Sequence, residues 1–155
     1  YDAGLSPMRS LLYYPGYVEG WATYVEMISY SYSGMPNDAA TLLSRNQSAI
    51  LSLYATVDMG IHYDGWSLAD TIKFFRDYGI TDINTVQHIY EYIIEEPAHY
   101  LKYYIGYLEF LDLKDHAKSL YGDNYSNLKF HQAVLEMGPA PFDMLRKYLD
   151  EFYGK

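Results

Sequence analysis

The segment YVEGWATYVEMISYSYS, residues 17–33, repeats apolar residues (Trp21, Tyr24, Val25, Ile28, Tyr32) at spacings of three and four. That period marks an amphipathic helix with one buried face, stopped by Gly34 and Pro36. Downstream the same signals recur. Asn37 or Asp38 caps a second helix whose Leu42, Leu43, Ala49, Ile50, Leu53 and Val57 keep the period until Gly60. After a Gly60–Gly65 break, Ser67 with Asp70 forms a capping box for a third, which Gly79 ends. Thr81 or Asp82 starts a fourth, through Val86, Ile89, Ile93 and Ile94, bounded by Pro97. Pro97 opens a fifth, running to about Leu120 with Leu101, Tyr104, Ile105, Leu108, Leu111 and Leu113 as its stripe. Gly122 ends it; Ser126 or Asn127 caps a sixth that runs to Gly138, and Pro141 opens the last, to Tyr153. Upstream, Gly4, Pro7, Pro15 and Gly16 make residues 1–16 an arm in which Met8–Tyr14 can form two turns. No apolar–polar alternation bounded by turns and no fixed repeat interrupts this series. The expectation is one all-α unit over residues 1–155, with about seven helices.

Composition narrows the function. The chain has 155 residues, half of them apolar, enough for a core and too ordered a composition for disorder. Eleven Lys and Arg against 20 Asp and Glu give a net charge of −9 with no basic cluster, which disfavours nucleic acid as a partner. The absence of cysteine removes disulfides, thiolate zinc sites and thiol nucleophiles, so any metal must use His, Asp or Glu. No run approaches the ~20 apolar residues of a membrane span. The chain opens at Tyr1 rather than Met, as an excerpt or processed product would, and a cysteine-free composition is compatible with export. Twenty tyrosines are the strongest bias, and Tyr serves packed helix interfaces and substrate clefts alike.

Several groups have spacings that could carry chemistry. Glu19 and Glu26, seven residues apart, project from nearly the same side of their helix, where Trp21 also lies; a carboxylate near a helix start is also stabilised without any function. Asp58 and His62 stand at i and i+4, a spacing that lets a carboxylate orient an imidazole and that also suits a surface ion pair. No two of His62, His88, His99, His116 and His131 are three or four apart, so a pair of helical histidine ligands is absent. His116, with Asp112 one turn before it, reads as part of a solvated face, and His88 and His131 read as structural. Serine-hydrolase, phosphate-loop and dinucleotide fingerprints are missing. From the residues alone the function stays open.

The order of four blocks adds a family. Glu19-Gly20-Trp21-Ala22-Thr23-Tyr24-Val25-Glu26 resembles the "EGWALYxE" helix of a bacterial domain-of-unknown-function family numbered 885. Asp58-Met59-Gly60-Ile61-His62 with Trp66 resembles its "D-x-G-I-H" and following Trp. Pro97 to Gly106 resembles "P-G-Q-A-x-x-Y-x-x-G", and Phe130-His131 through Leu135, Gly138 and Pro141 resembles "F-H-x-x-V-L-x-x-G-x-x-P". Members of that family look like zinc metallopeptidases of the gluzincin kind, with a His-Glu motif upstream. The resemblance implies that this chain is the C-terminal portion of a larger helical catalytic domain, inactive alone. Glu19 would be the third zinc ligand, Tyr103 the first candidate for an oxyanion donor, and His62 and His131 further catalytic candidates. Trp21, Asp58 and His99 would face a peptide or small amide substrate. The resemblance also makes the missing N-terminal part of the same protein a partner and suggests an extracytoplasmic location. His99 stands where the family has Gln and Ala98 where it has Gly, which implies altered substrate contacts. Two rival readings are a non-catalytic helical module that binds peptides or serves as a scaffold, and a segment that self-associates through exposed tyrosines.

Overall fold

The computed structural model describes Arg9 and residues 11–152, so most of the expected arm and Tyr153 lie outside the described residues. Among these the fold is all-α, with seven α-helices: α1 (Pro15–Ser29), α2 (Asn37–His62), α3 (Leu68–Asp77), α4 (Ile83–Glu95), α5 (His99–Tyr121), α6 (Asn127–Met137) and α7 (Phe142–Phe152). Single 3₁₀ turns follow α1 (Tyr30–Tyr32) and α5 (Gly122–Asn124). Residues 12–14, expected to join a helical turn, have no regular structure.

Where a helix end is set by its own side chains, it falls where the residues put it. Ser67 and Asp70 form the reciprocal capping box of α3; Asp82 and Ser126 cap α4 and α6 through their side chains. Gly79, Gly122 and Gly138 take positive φ values of 81°, 48° and 67° just past helix ends, a conformation cheap only for glycine. Other boundaries shift. Pro36, rather than Asn37 or Asp38, occupies the cap position of α2, its carbonyl accepting from Ala40 N–H at 3.0 Å. The expected break at Gly60 does not occur, and α2 runs on to His62. Helix α5 begins at His99, two residues after Pro97, and Pro141 precedes α7 rather than opening it.

The chain divides into two compact units, residues 1–24 with 105–155 and residues 25–104, with the divisions inside α1 and α5. In the second unit, Val57, Phe75, Val86 and Ile93 form a core from α2, α3 and α4, flanked by Tyr54, Trp66 and Tyr100. Leu42 and Leu43, expected in the buried stripe of α2, are 69% and 44% exposed. In the first unit, Phe110 is the centre of an aromatic cluster, 5.2–5.4 Å from the rings of Tyr17, Trp21 and Phe142. Leu145 and Leu149, one turn apart, bury the inner face of α7. The buried stripe of α5 is Gly106, Phe110, Leu113 and Ala117; Leu113 is as expected, whereas Ile105 and Leu108 are exposed. On α1, Tyr17, Gly20, Tyr24 and Met27 are buried and Val25 is exposed, as is Tyr32 on the 3₁₀ turn that follows.

Glycines explain why α5 presents so small a residue at its crossing with α1. A Cβ on Gly106 would lie 2.2 Å from the Gly16 carbonyl oxygen, and one on Gly20 would lie 2.4 Å from the Gly106 carbonyl carbon. Backbone meets backbone there, as small residues allow, and the crossing fixes the helix that carries Glu19. A Cβ on Gly16 meets only Phe142 Cε2 at an ordinary 3.6 Å. Gly106→Ala is therefore expected to destabilise by about 1–3 kcal/mol, the scale of an overpacked core. Gly16→Ala is expected to stay within about 0.5 kcal/mol of the parent in the same urea titration.

Candidate functional site

The sequence candidates fall into two groups, one in each unit. In the second unit Asp58 is the organising group. It lies near the end of α2 with 1% of its side chain exposed, and it accepts three hydrogen bonds. His62 Nδ1 donates to Oδ1 at 2.9 Å, Ala98 N–H to Oδ1 at 2.9 Å, and Tyr100 N–H to Oδ2 at 3.2 Å. A buried carboxylate requires such donors. This corrects the expectation that Asp58 faces substrate, because its oxygens are occupied inside the fold. His62 keeps 30% of its side chain exposed. Four residues on, the indole of Trp66 lies against Gly60, where a Cβ would come within 2.4 Å of the ring. The turn after His62 also lines an open groove of about 400 Å³ with Asp64, Trp66, Asp70, Lys73, Phe74 and Asp77.

The third sequence block follows from the same carboxylate. Ala98 has φ 62°, a left-handed conformation that costs a side-chain-bearing residue about 1–2 kcal/mol. Beyond it, His99 and Tyr103 place their rings 5.3 Å apart, and Lys102 Nζ lies 5.6 Å from the Tyr103 ring centroid. His99 Nδ1 approaches Glu96 Oε2 to 2.5 Å, yet without the alignment of a hydrogen bond. Tyr54 and Tyr92 flank Tyr100, whose phenol is pushed above its ordinary range by burial and then by neighbouring phenols.

In the first unit, α1 brings Trp21 to His131 on α6, with ring centroids 5.6 Å apart and the rings edge to face. The fully buried Tyr24 lies between two polar groups that sequence reading did not join: its hydroxyl is 2.9 Å from His131 Nε2 and accepts from Lys114 Nζ at 3.1 Å. In the sequence Lys114 reads, with Asp115 and Lys118, as part of a solvated charged face, and its approach to Tyr24 corrects that expectation. Burial, then the Lys114 charge, lowers the His131 pKa; burial chiefly lowers that of Lys114. Glu19 is half-buried on α1, and among the described residues its carboxylate has no hydrogen-bond or ion-pair partner. Glu26 is exposed and accepts from Tyr30. His116 does not join Asp112: it pairs with Asp150 at 2.7 Å, and Asp112 pairs with Arg146.

Among the described residues no three His, Asp or Glu side chains are placed to hold a metal ion. The donors present therefore do not complete a zinc centre, and Glu19 fits at most one ligand position. No helix among the described residues is long and apolar enough to cross a membrane.

The family model described as "Bacterial protein of unknown function (DUF885)" matches residues 1–149. The chain belongs to this family. The four blocks singled out in the sequence fall on α1, on the end of α2 and the turn after it, on the turn into α5 with its first turns, and from α6 to just before α7. Among solved structures, a chain described as "the putative lipoprotein from Colwellia psychrerythraea" is similar over 99% of this chain, with 29% identity and a TM-score of 0.81. The DUF885 chain described here spans 27% of that chain's length. No curated protein matches it.

The His131 environment gives a pH signature. A histidine whose pKa is lower in the fold than its ordinary 6.5 binds fewer protons folded than unfolded between the two values. Its contribution to stability is present above pH 6.5 and is lost as pH falls through the folded value. His131→Gln should flatten the pH dependence of unfolding free energy below about pH 6.5 relative to the parent, measured by urea titration across pH.

Proposed function

We propose that this chain is the C-terminal portion of a zinc-dependent peptidase that hydrolyses peptide or small amide bonds, and that it is catalytically silent without the rest of the protein. The observation that carries this reading is Glu19. It is a half-buried carboxylate without a partner among the described residues, on a helix locked in place by the Gly20–Gly106 contact. A carboxylate with no partner in the fold has its oxygens available to a ligand from outside it. In this reading Glu19 supplies one ligand and residues outside this chain supply the other two. Zinc, when bound, contributes an activated water for hydrolysis.

The chain's own residues would then bind and orient. Tyr103 offers a phenol suited to a developing oxyanion. His131, kept uncharged by burial, would contact substrate as a hydrogen-bonding group rather than as a fixed cation. Trp21, packed against it, would limit water near that imidazole. His62 would act as a proton-handling group held by Asp58. His99 would contact substrate where relatives carry an amide side chain. Likeness to a protein described as a lipoprotein supports an extracytoplasmic location.

The test uses the full-length protein. Glu19→Ala should reduce zinc, measured by mass spectrometry of purified protein, from roughly one ion per chain to background. Retention of zinc would remove Glu19 from the ligand set. Tyr103→Phe should lower turnover of a mixed peptide substrate by about 100-fold while zinc stays bound; unchanged kinetics would end its oxyanion role. A full-length protein that binds peptides but holds no zinc would establish the non-catalytic binding module instead.

A further inference from the structure

The start of α5 and the ring of His62 draw on a single carboxylate, and we propose that Asp58 is a positioning residue with two linked tasks. It caps α5 from another helix, and it fixes the His62 proton on Nδ1, leaving Nε2 as the acceptor of the neutral ring. The second task deepens the peptidase reading by giving His62 a proton-accepting role.

The capping follows from where the backbone donors of the turn go. The first N–H groups of a helix have no partner within it, and the residue at the cap position ordinarily supplies a side-chain oxygen. Ala98, which stands there, has none. Pro97 has no N–H, and His99 N–H donates to the Glu96 carbonyl at 3.2 Å. Two further donors of this turn, Ala98 N–H and Tyr100 N–H, go one to each oxygen of Asp58, forty residues or more away in sequence. A carboxylate at this place also faces the positive end of the helix dipole.

The tautomer follows from the donor and acceptor inventory. His62 Nδ1 lies 2.9 Å from Asp58 Oδ1 and 3.0 Å from the Asp58 backbone carbonyl oxygen. A carbonyl and an ionised carboxylate only accept, so Nδ1 must carry the proton, and in the neutral ring Nε2 holds the free lone pair. Because Oδ1 serves both His62 and Ala98, the ring and the turn share one anchor. Removing its charge should disturb both.

Nitrogen NMR of the full-length protein labelled in histidine reads the ring directly, with His62→Gln used to assign its signals. The expected spectrum has a protonated Nδ1 and an unprotonated Nε2; a protonated Nε2 with a bare Nδ1 would overturn the tautomer assignment. Asp58→Asn keeps the shape but leaves one side-chain acceptor oxygen, and it should produce a mixture of tautomers; a ring still protonated only on Nδ1 would assign the tautomer to the residue-58 backbone carbonyl and overturn the carboxylate's role. Hydrogen exchange of the segment 96–102 should become about tenfold faster in Asp58→Asn, while the middle of α5 is unchanged. Unchanged exchange would overturn the capping role.

Ala98→Gly added to Asp58→Asn relieves the left-handed alanine and should recover thermal stability without restoring the single tautomer. Recovery of the tautomer as well would show that the turn, and not the carboxylate, sets the ring. These readouts need neither zinc nor turnover, so they stand if Glu19→Ala keeps its metal, and they can fail while the peptidase reading survives.

Discussion

A carboxylate at 1% exposure must have its charge met inside the fold, and Asp58 meets it with one imidazole and two backbone amides. Much of the second unit is arranged around that requirement. Pro97 forbids helix for the residue before it, so α4 stops at Glu95 and the chain must turn. The turn uses a left-handed alanine, a conformation held only if surrounding contacts outweigh its strain. Two hydrogen bonds to a buried negative charge are contacts of that strength. The start of α5, with His99 and Tyr103 on its first turns, is thereby tied to the end of α2.

The same economy places the candidate groups of the first unit. Helix α1 approaches α5 through glycine on both sides, and any larger residue at Gly20 or Gly106 would push them apart. Close approach brings Tyr24 within reach of Lys114 on α5 and His131 on α6 at once. A lysine and a histidine drawn toward one hydroxyl repel each other when both are charged. Lowered pKa values at both relieve that conflict, because burial already disfavours their charged forms.

How much of this could be read from the sequence follows from the range of each interaction. Ser67 with Asp70, Asp82, Ser126 and the left-handed glycines act within four residues, and they marked helix ends correctly. Pro97 was read as the start of α5 because proline suits a first turn, but the actual cap comes from Asp58, which no local rule can find. The Asp58–His62 pair was visible as an i, i+4 spacing, while the burial that turns Asp58 from a substrate contact into an internal anchor was not. The stripe of α5 was read correctly at Leu113 but missed Phe110 and Gly106, and at Gly106 the surface facing α1 selects for the absence of a side chain, which hydrophobic periodicity does not register. Tyr24 and Lys114 were missed for a related reason: their meeting depends on three helices crossing at one place.

Some of the tyrosines acquire a physical reason from the same kind of distance. A buried helix carbonyl that has lost water gains from an extra donor, and a buried phenyl ring contributes more to the core than a small polar side chain would. Tyr17 does both, packing on Phe110 while its hydroxyl donates to the Val134 carbonyl at 2.8 Å. Burial pushes its pKa up to about 12, so it remains a neutral donor at any ordinary pH. Tyr121 repeats the arrangement with the Leu149 carbonyl at 2.7 Å, joining α5 to α7. Tyrosines of this kind are cross-helix ties, a polar tip on an apolar body, whereas Tyr13, Tyr32, Tyr63 and Tyr78 lie exposed. Tyr103 packs its ring against His99, one turn beyond the backbone amides that Asp58 holds, and so its position is coupled to that carboxylate.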